Sequence, residues 1–174
     1  MLGRELHPQK ETAMSFQICI NTDKSLHQLA TEIRRLLSLP LFHETSFSGE
    51  AYCQFEMLGM LILIHRVDEE SRDPEVRLYP YSFDLQTSFG DHELDMDKVE
   101  YSLQPYYAQL LAFRLGIETA YHEKQLHGDD WLIRYHFCHR NPRWNNTILY
   151  GEAGWEPAVT EAQPSKWRGM HPIF

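Results

Sequence analysis

Apolar and polar residues alternate over 15–21, Ser-Phe-Gln-Ile-Cys-Ile-Asn, which places Phe16, Ile18 and Ile20 on one face of a strand. The period then changes. Leu26, Leu29, Ala30, Ile33, Leu36 and Leu37 recur at helical spacing, with Glu32, Arg34 and Arg35 off the stripe. Ser25 followed by Gln28 is a capping-box pattern, and Pro40 stops the helix. From residue 47 to 67 the chain reads as two strands. Ala51, Cys53, Phe55 and Met57 lie on one parity, and Tyr52, Gln54 and Glu56 on the other. Gly59 marks the turn, and the nearly unbroken apolar run 60–65 predicts a central strand covered on both faces. Residues 68–74 form an acidic loop. A strand is expected at 75–79, where Pro80 favours an edge or a bulge, and alternation continues through Tyr81, Phe83, Leu85 and Thr87.

A second helix is expected over 103–115, striped by Leu103, Tyr106, Tyr107, Leu110 and Leu111, with Gly116 closing it. The stretch before it, with Asp91, Glu93, Asp95, Asp97 and Glu100, suits a helix N-terminus, where each acid contributes roughly 0.3–1 kcal/mol. Residues 117–123 fit helix continuation or a strand equally. A last strand is read at 131–138, with Trp131, Ile133, Tyr135 and Phe137 on one side. Periodicity then fails, apart from a short strand at 147–150. Residues 139–174 read as an irregular tail that lies against the domain through Trp144, Trp155 and Trp167. The order β-α-β-β-β-α-(β) predicts an α+β fold: a mostly antiparallel sheet of four to five strands, with two helices packed on one face. Residues 1–14 lack an apolar segment and read as a disordered leader, 15–138 as one domain.

Composition narrows the class. A chain of 174 residues with 43% apolar residues holds one globular core. Its three cysteines, Cys19, Cys53 and Cys138, are odd in number and far apart, which favours a reducing, cytoplasmic setting over a disulfide framework. No apolar run reaches membrane-spanning length. The formal charge is −9, and it is unevenly placed: residues 15–128 hold 18 Asp/Glu against 9 Lys/Arg, whereas both flanks balance. Such a field repels nucleic acid and anionic membrane and attracts a basic protein.

Catalytic motifs are missing. His136, Cys138 and His139 are the best metal candidates, with His122 or His127 nearby. They lack CxxC and HExxH spacing, and in a strand His139 points away from the other two. Cys19 and Cys53 sit on apolar strand parity and read as small hydrophobes. The alternating acids 91–97 lack the Gly and Glu that a calcium-binding EF-hand loop needs. Glycines are scattered singly, so no phosphate loop exists, and no cofactor is expected. What remains is tyrosine beside acid. Tyr79, Tyr81, Asp91, Glu93, Asp95 and Asp97 are the expected contact residues for a basic partner.

The succession of strand, Leu-rich helix, "GEAYCQFEMLGMLILIHR" at 49–66, "YPYSFDLQ" at 79–86 and "YYAQLLAFRLGI" at 106–117 resembles small acidic bacterial immunity proteins of toxin–immunity systems, over residues 15–125. That resemblance implies a cytosolic, non-enzymatic protein that covers the active surface of a cognate toxin. The alternative is an enzyme or small-molecule-binding domain whose pocket gathers His65, His122, His136 and Cys138. A homodimer joined through the Trp-containing tail is a third arrangement.

Overall fold

The computed structural model describes residues 16–47, 49–87, 96–127, 130–140, 158–162 and 168–169. Strand β1 (Phe16–Asn21) is followed by helix α1 (Leu26–Leu37), and then by a meander of β2 (His43–Phe47), β3 (Glu50–Met57), β4 (Met60–Arg66) and β5 (Tyr81–Thr87). Helix α2 (Met96–Leu115) leads to β6 (Glu118–His127), β7 (Asp130–Arg140), β8 (Ala158–Ala162) and β9 (Arg168–Gly169). The order across the sheet is β2-β3-β4-β5-β1-β6-β7-β8, with β9 also paired to β7, and every pairing is antiparallel. β1 is therefore interior. α1 carries the chain from β1 to one edge, the meander returns beside β1, and α2 carries it to the other flank. No described helix is long and apolar enough to cross a membrane.

Local chemistry sets the boundaries. Gln28 N–H donates to Ser25 Oγ at 3.3 Å and Ser25 N–H donates to Gln28 Oε1 at 3.0 Å, which completes the capping box of α1. Leu58 and Gly59 join β3 to β4 with φ of 46° and 80°, the pair of positive values a type I′ hairpin turn requires. Gly116 closes α2 at φ 64°, its N–H donating to Ala112 O at 3.0 Å. Pro105 lies inside α2 and removes the N–H that would bond Tyr101 O. The Gln104 side chain replaces it: Nε2 donates to Tyr101 O at 3.3 Å and to His122 O at 3.4 Å, while Oε1 accepts from Gln17 N–H.

Strand register sorts the side chains onto two faces. Ile18 stands opposite Phe83 and Tyr121, Phe83 opposite Ile64, and Ile64 opposite Cys53. These join Phe16, Ile20 and Phe55 in the main buried cluster. Leu29, Ala30 and Ile33 of α1 and Ala108, Leu111 and Ala112 of α2 enter the same cluster. The opposite face carries a smaller core of Cys19, Ala120, Ile133 and Tyr135, and Val76 from the β4–β5 connection packs onto it.

Four expectations are corrected. The sheet has more than four to five strands, because β2, β8 and β9 were not foreseen as partners. The expected strand at 75–79 is a 3-10 turn, Pro74–Val76: Arg72 Nε and Nη2 donate to Val67 O and Nη1 to Arg77 O, which folds the segment back on itself. The tail is not wholly irregular, since β7 runs to Arg140 and residues 158–162 and 168–169 pair with it. β4 is fully buried on one face only: Ile62 and Ile64 are buried, whereas Leu61 and Leu63 are half-buried and, among the described residues, join neither core. The expected leader 1–14 and the short strand at 147–150 lie outside the described residues.

Candidate functional site

The second face of β3, β4 and β5 is where polar chemistry and half-buried apolar surface meet. Alternation places Glu50, Tyr52, Gln54 and Glu56 of β3 there, opposite Leu61, Leu63 and His65 of β4, which in turn face Asp84 and Gln86 of β5. Among the described residues, those of both helices enter the opposite core, and Val76 and Tyr79 of the 67–80 connection pack over β1, β6 and β7. The open face holds three carboxylates and no Lys or Arg.

A hydrogen-bonded row runs through its floor. Gln17 Nε2 donates to Ser82 Oγ at 3.1 Å, and Ser82 Oγ donates to Asp84 Oδ1 at 2.7 Å. His65 Nε2 lies 2.8 Å from Asp84 Oδ2. Burial pulls the His65 pKa down, but the hydrogen bond and charge of Asp84 outweigh it and raise the pKa overall. Tyr52 lies over His65 with ring centroids 4.8 Å apart, and its hydroxyl donates to Glu50 Oε2 at 3.0 Å. Serine, aspartate and histidine are all present, but in the wrong order for nucleophilic catalysis. The serine proton points at the carboxylate, not at the imidazole, and Ser82 is fully buried. The row fixes Tyr52 and His65 on the floor and presents their rings.

The residues of the enzyme alternative do not converge. His65 and His122 lie on strands separated by β5 and β1, and the register puts His136 and Cys138 on the helix-bearing face. His136 stacks on Tyr121 at 4.8 Å, with Nε2 2.9 Å from Glu123 Oε2, and Arg134 Nη2 donates to the same oxygen at 2.7 Å. Those two partners outweigh the desolvation of Glu123, whose pKa is lowered. Cys138 is buried, and His139 points to the opposite face. Among the described residues no group of three His, Cys, Asp or Glu could hold a metal ion. Burial, with nearby carboxylates adding to it, pushes the Cys19 thiol up to about 12 and the Cys53 thiol to about 11, so both stay protonated at neutral pH.

The expected contact residues are scattered. Tyr81 is 5% exposed and its hydroxyl donates to Lys24 O at 2.8 Å, so its ring closes the core. Tyr79 is half-buried against Phe137 on the smaller core, and burial raises its pKa, with Glu118 adding to the shift. Asp97 falls in the first turn of α2, whereas Asp91, Glu93 and Asp95 lie outside the described residues. Sequence reasoning missed the open face. Its signal was the polar parity Tyr52, Gln54, Glu56 beside an apolar run. Compared with protein families, curated proteins and solved structures, the chain matches none.

Proposed function

We propose that this chain is a protein-binding module that docks a basic protein on the open face of β3–β5. The observation that carries the reading is the placing of Leu61 opposite Glu56 and Leu63 opposite Asp84, with Glu50 on the same face, where no described helix packs. Half-buried leucines outside either core offer apolar area of the kind that holds a complex, and aromatic Tyr52 beside them is a residue type enriched at such contacts. The carboxylates, with no Lys or Arg on that face of β3–β5, supply the complementary field that speeds association. No bond is made or broken. Partner inactivation on this reading is coverage, as the resemblance to acidic immunity proteins implies for a basic toxin. The acidic stretch 91–97 carries the same sign of charge and adds to the long-range field that attracts such a partner.

Two variants test it. The wild-type chain, Glu56→Lys/Leu63→Lys, and Asp91→Lys/Glu93→Lys/Asp95→Lys serve as baits on the same source-cell extract. A captured basic protein is then purified and its affinity for each bait measured. The proposal expects tight binding to wild type and at least a hundredfold loss with the sheet-face variant at unchanged thermal stability. Slower association with the 91–95 variant, most marked at low salt, is expected as well. Equal binding by wild type and the sheet-face variant removes the open face as the contact.

A further inference from the structure

The connection between β4 and β5 folds around a cavity of about 460 Å³ whose walls carry Lys24, Arg66, Arg72 and Arg77 against Asp23 and Glu69. These are four of the nine Lys/Arg between residues 15 and 128, in a segment where acids outnumber bases two to one. Like charges repel, so their gathering at one depression calls for an opposite charge. Part of that charge is internal: Lys24 forms an ion pair with Glu32.

The arginines divide into one anchor and two unpartnered groups. Arg72 makes three hydrogen bonds to the carbonyls of Val67 and Arg77. A guanidinium has five N–H donors, so two of them remain. The same bonds pin the backbone that carries Arg77, and Val67 N–H, donating to Pro80 O at 2.8 Å, closes the base of the loop. Arg66 and Arg77 are exposed and have neither an ion pair nor a hydrogen bond through their side chains. A pinned guanidinium flanked by two uncommitted ones is an arrangement suited to planar, multi-oxygen anions, which arginine grips in paired fashion. The remaining wall is mixed: Asn21 and Thr22 add polar groups, and Leu78, 76% exposed, Pro80 and Tyr81 add apolar surface.

We propose that this cavity binds a small oxyanion bearing two or more carboxylate or phosphate groups, held by Arg66, Arg72 and Arg77. The site is separate from the docking face and does not depend on that reading. Citrate and pyrophosphate are the probes, each titrated into the full chain by calorimetry at constant ionic strength, with sodium chloride as the control. One of the two should bind saturably with a dissociation constant below about 1 mM. Citrate alone binding assigns a carboxylate ligand, and pyrophosphate alone a phosphate ligand. Arg66→Gln/Arg77→Gln should weaken binding at least tenfold. It leaves intact the main-chain carbonyl that holds Arg72. Arg35→Gln, on α1 outside the cavity, should bind as wild type does. If the double variant loses its folded signal, Arg66→Lys and Arg77→Lys singly keep the charge, remove the fork, and should each still weaken binding. Binding of neither probe up to about 10 mM, well beyond the weakest specific affinities, overturns the proposal, as does undiminished binding by the arginine variants.

Discussion

His122 should make this protein acid-sensitive by an amount that can be isolated. It lies on β6 at 4% exposure, with the rings of Tyr101 and Tyr135 at 5.9 and 6.2 Å, and its Nε2 is buried without a hydrogen-bond partner. Burial disfavours the imidazolium, the Lys124 charge adds to this, and Asp73 opposes it, so the pKa is pushed down from 6.5 to about 4. In the unfolded chain the ring titrates near 6.5. Between these values the unfolded state binds a proton that the folded state does not. The contribution is therefore intact above pH 6.5 and is lost as pH falls toward 4. Linkage puts the loss at about 2 kcal/mol at pH 5 and about 3 kcal/mol at pH 4. Urea unfolding of wild type and His122→Leu at pH 7, 5 and 4 reads it directly, provided the denaturant slopes agree. Carboxylates titrate in both chains and cancel in the difference. So does His65, whose raised pKa works in the opposite direction. Relative to wild type, the variant should gain about 2 kcal/mol on going from pH 7 to pH 5. A difference that does not change with pH refutes a neutral, desolvated His122.

Three further outcomes follow from particular contacts. Leu58→Asn should stabilise the protein by about 1 kcal/mol, because Leu58 is 87% exposed and holds a left-handed conformation that asparagine tolerates better; its thermal midpoint should rise. Gln104→Leu should cost about 3 kcal/mol in urea unfolding, at roughly 1 kcal/mol for each of its three backbone hydrogen bonds. Leu63→Lys should leave stability within about 0.5 kcal/mol of wild type, since its side chain joins neither core; a large loss in unfolding free energy would show that the face is covered.

The elements with local signatures were legible in the sequence. The capping box at Ser25 and Gln28, the turn at Gly59, the helix end at Gly116 and the alternation in β1 and β5 are decided by residues within a few positions of each other. The misses share a different cause. β2 carries His43, Glu44, Thr45 and Ser46, all exposed, so an edge strand had no apolar pattern to announce it. Residues 75–79 alternate like a strand, but Arg72 ties the Arg77 carbonyl to that of Val67 through three side-chain hydrogen bonds, which no periodicity encodes. The apolar run of β4 predicts burial on both sides, yet among the described residues only the Ile62 and Ile64 side is fully buried. Pattern reports that a residue is apolar, and it cannot report whether its own chain supplies the cover. The cation-lined cavity was equally hidden, because Lys24 and the three arginines come together only when β4 and β5 pair.

The charge on the open face also bears on what can settle there. A second copy of this chain docked face to face about a two-fold axis would bring Glu50, Glu56 and Asp84 against the same three carboxylates of its partner. Like charges set across an interface are destabilising, and this face of β3–β5 has no Lys or Arg to offset them. Its leucines would favour self-association on area alone, so the carboxylates act against a homodimer through this surface while leaving it open to a basic protein. Replacing those carboxylates by glutamine would then have two separable effects: slower capture of the basic partner, and a rise in self-association visible by sedimentation. Unchanged capture together with unchanged self-association would mean that the leucines, and not the charges, decide what the face accepts.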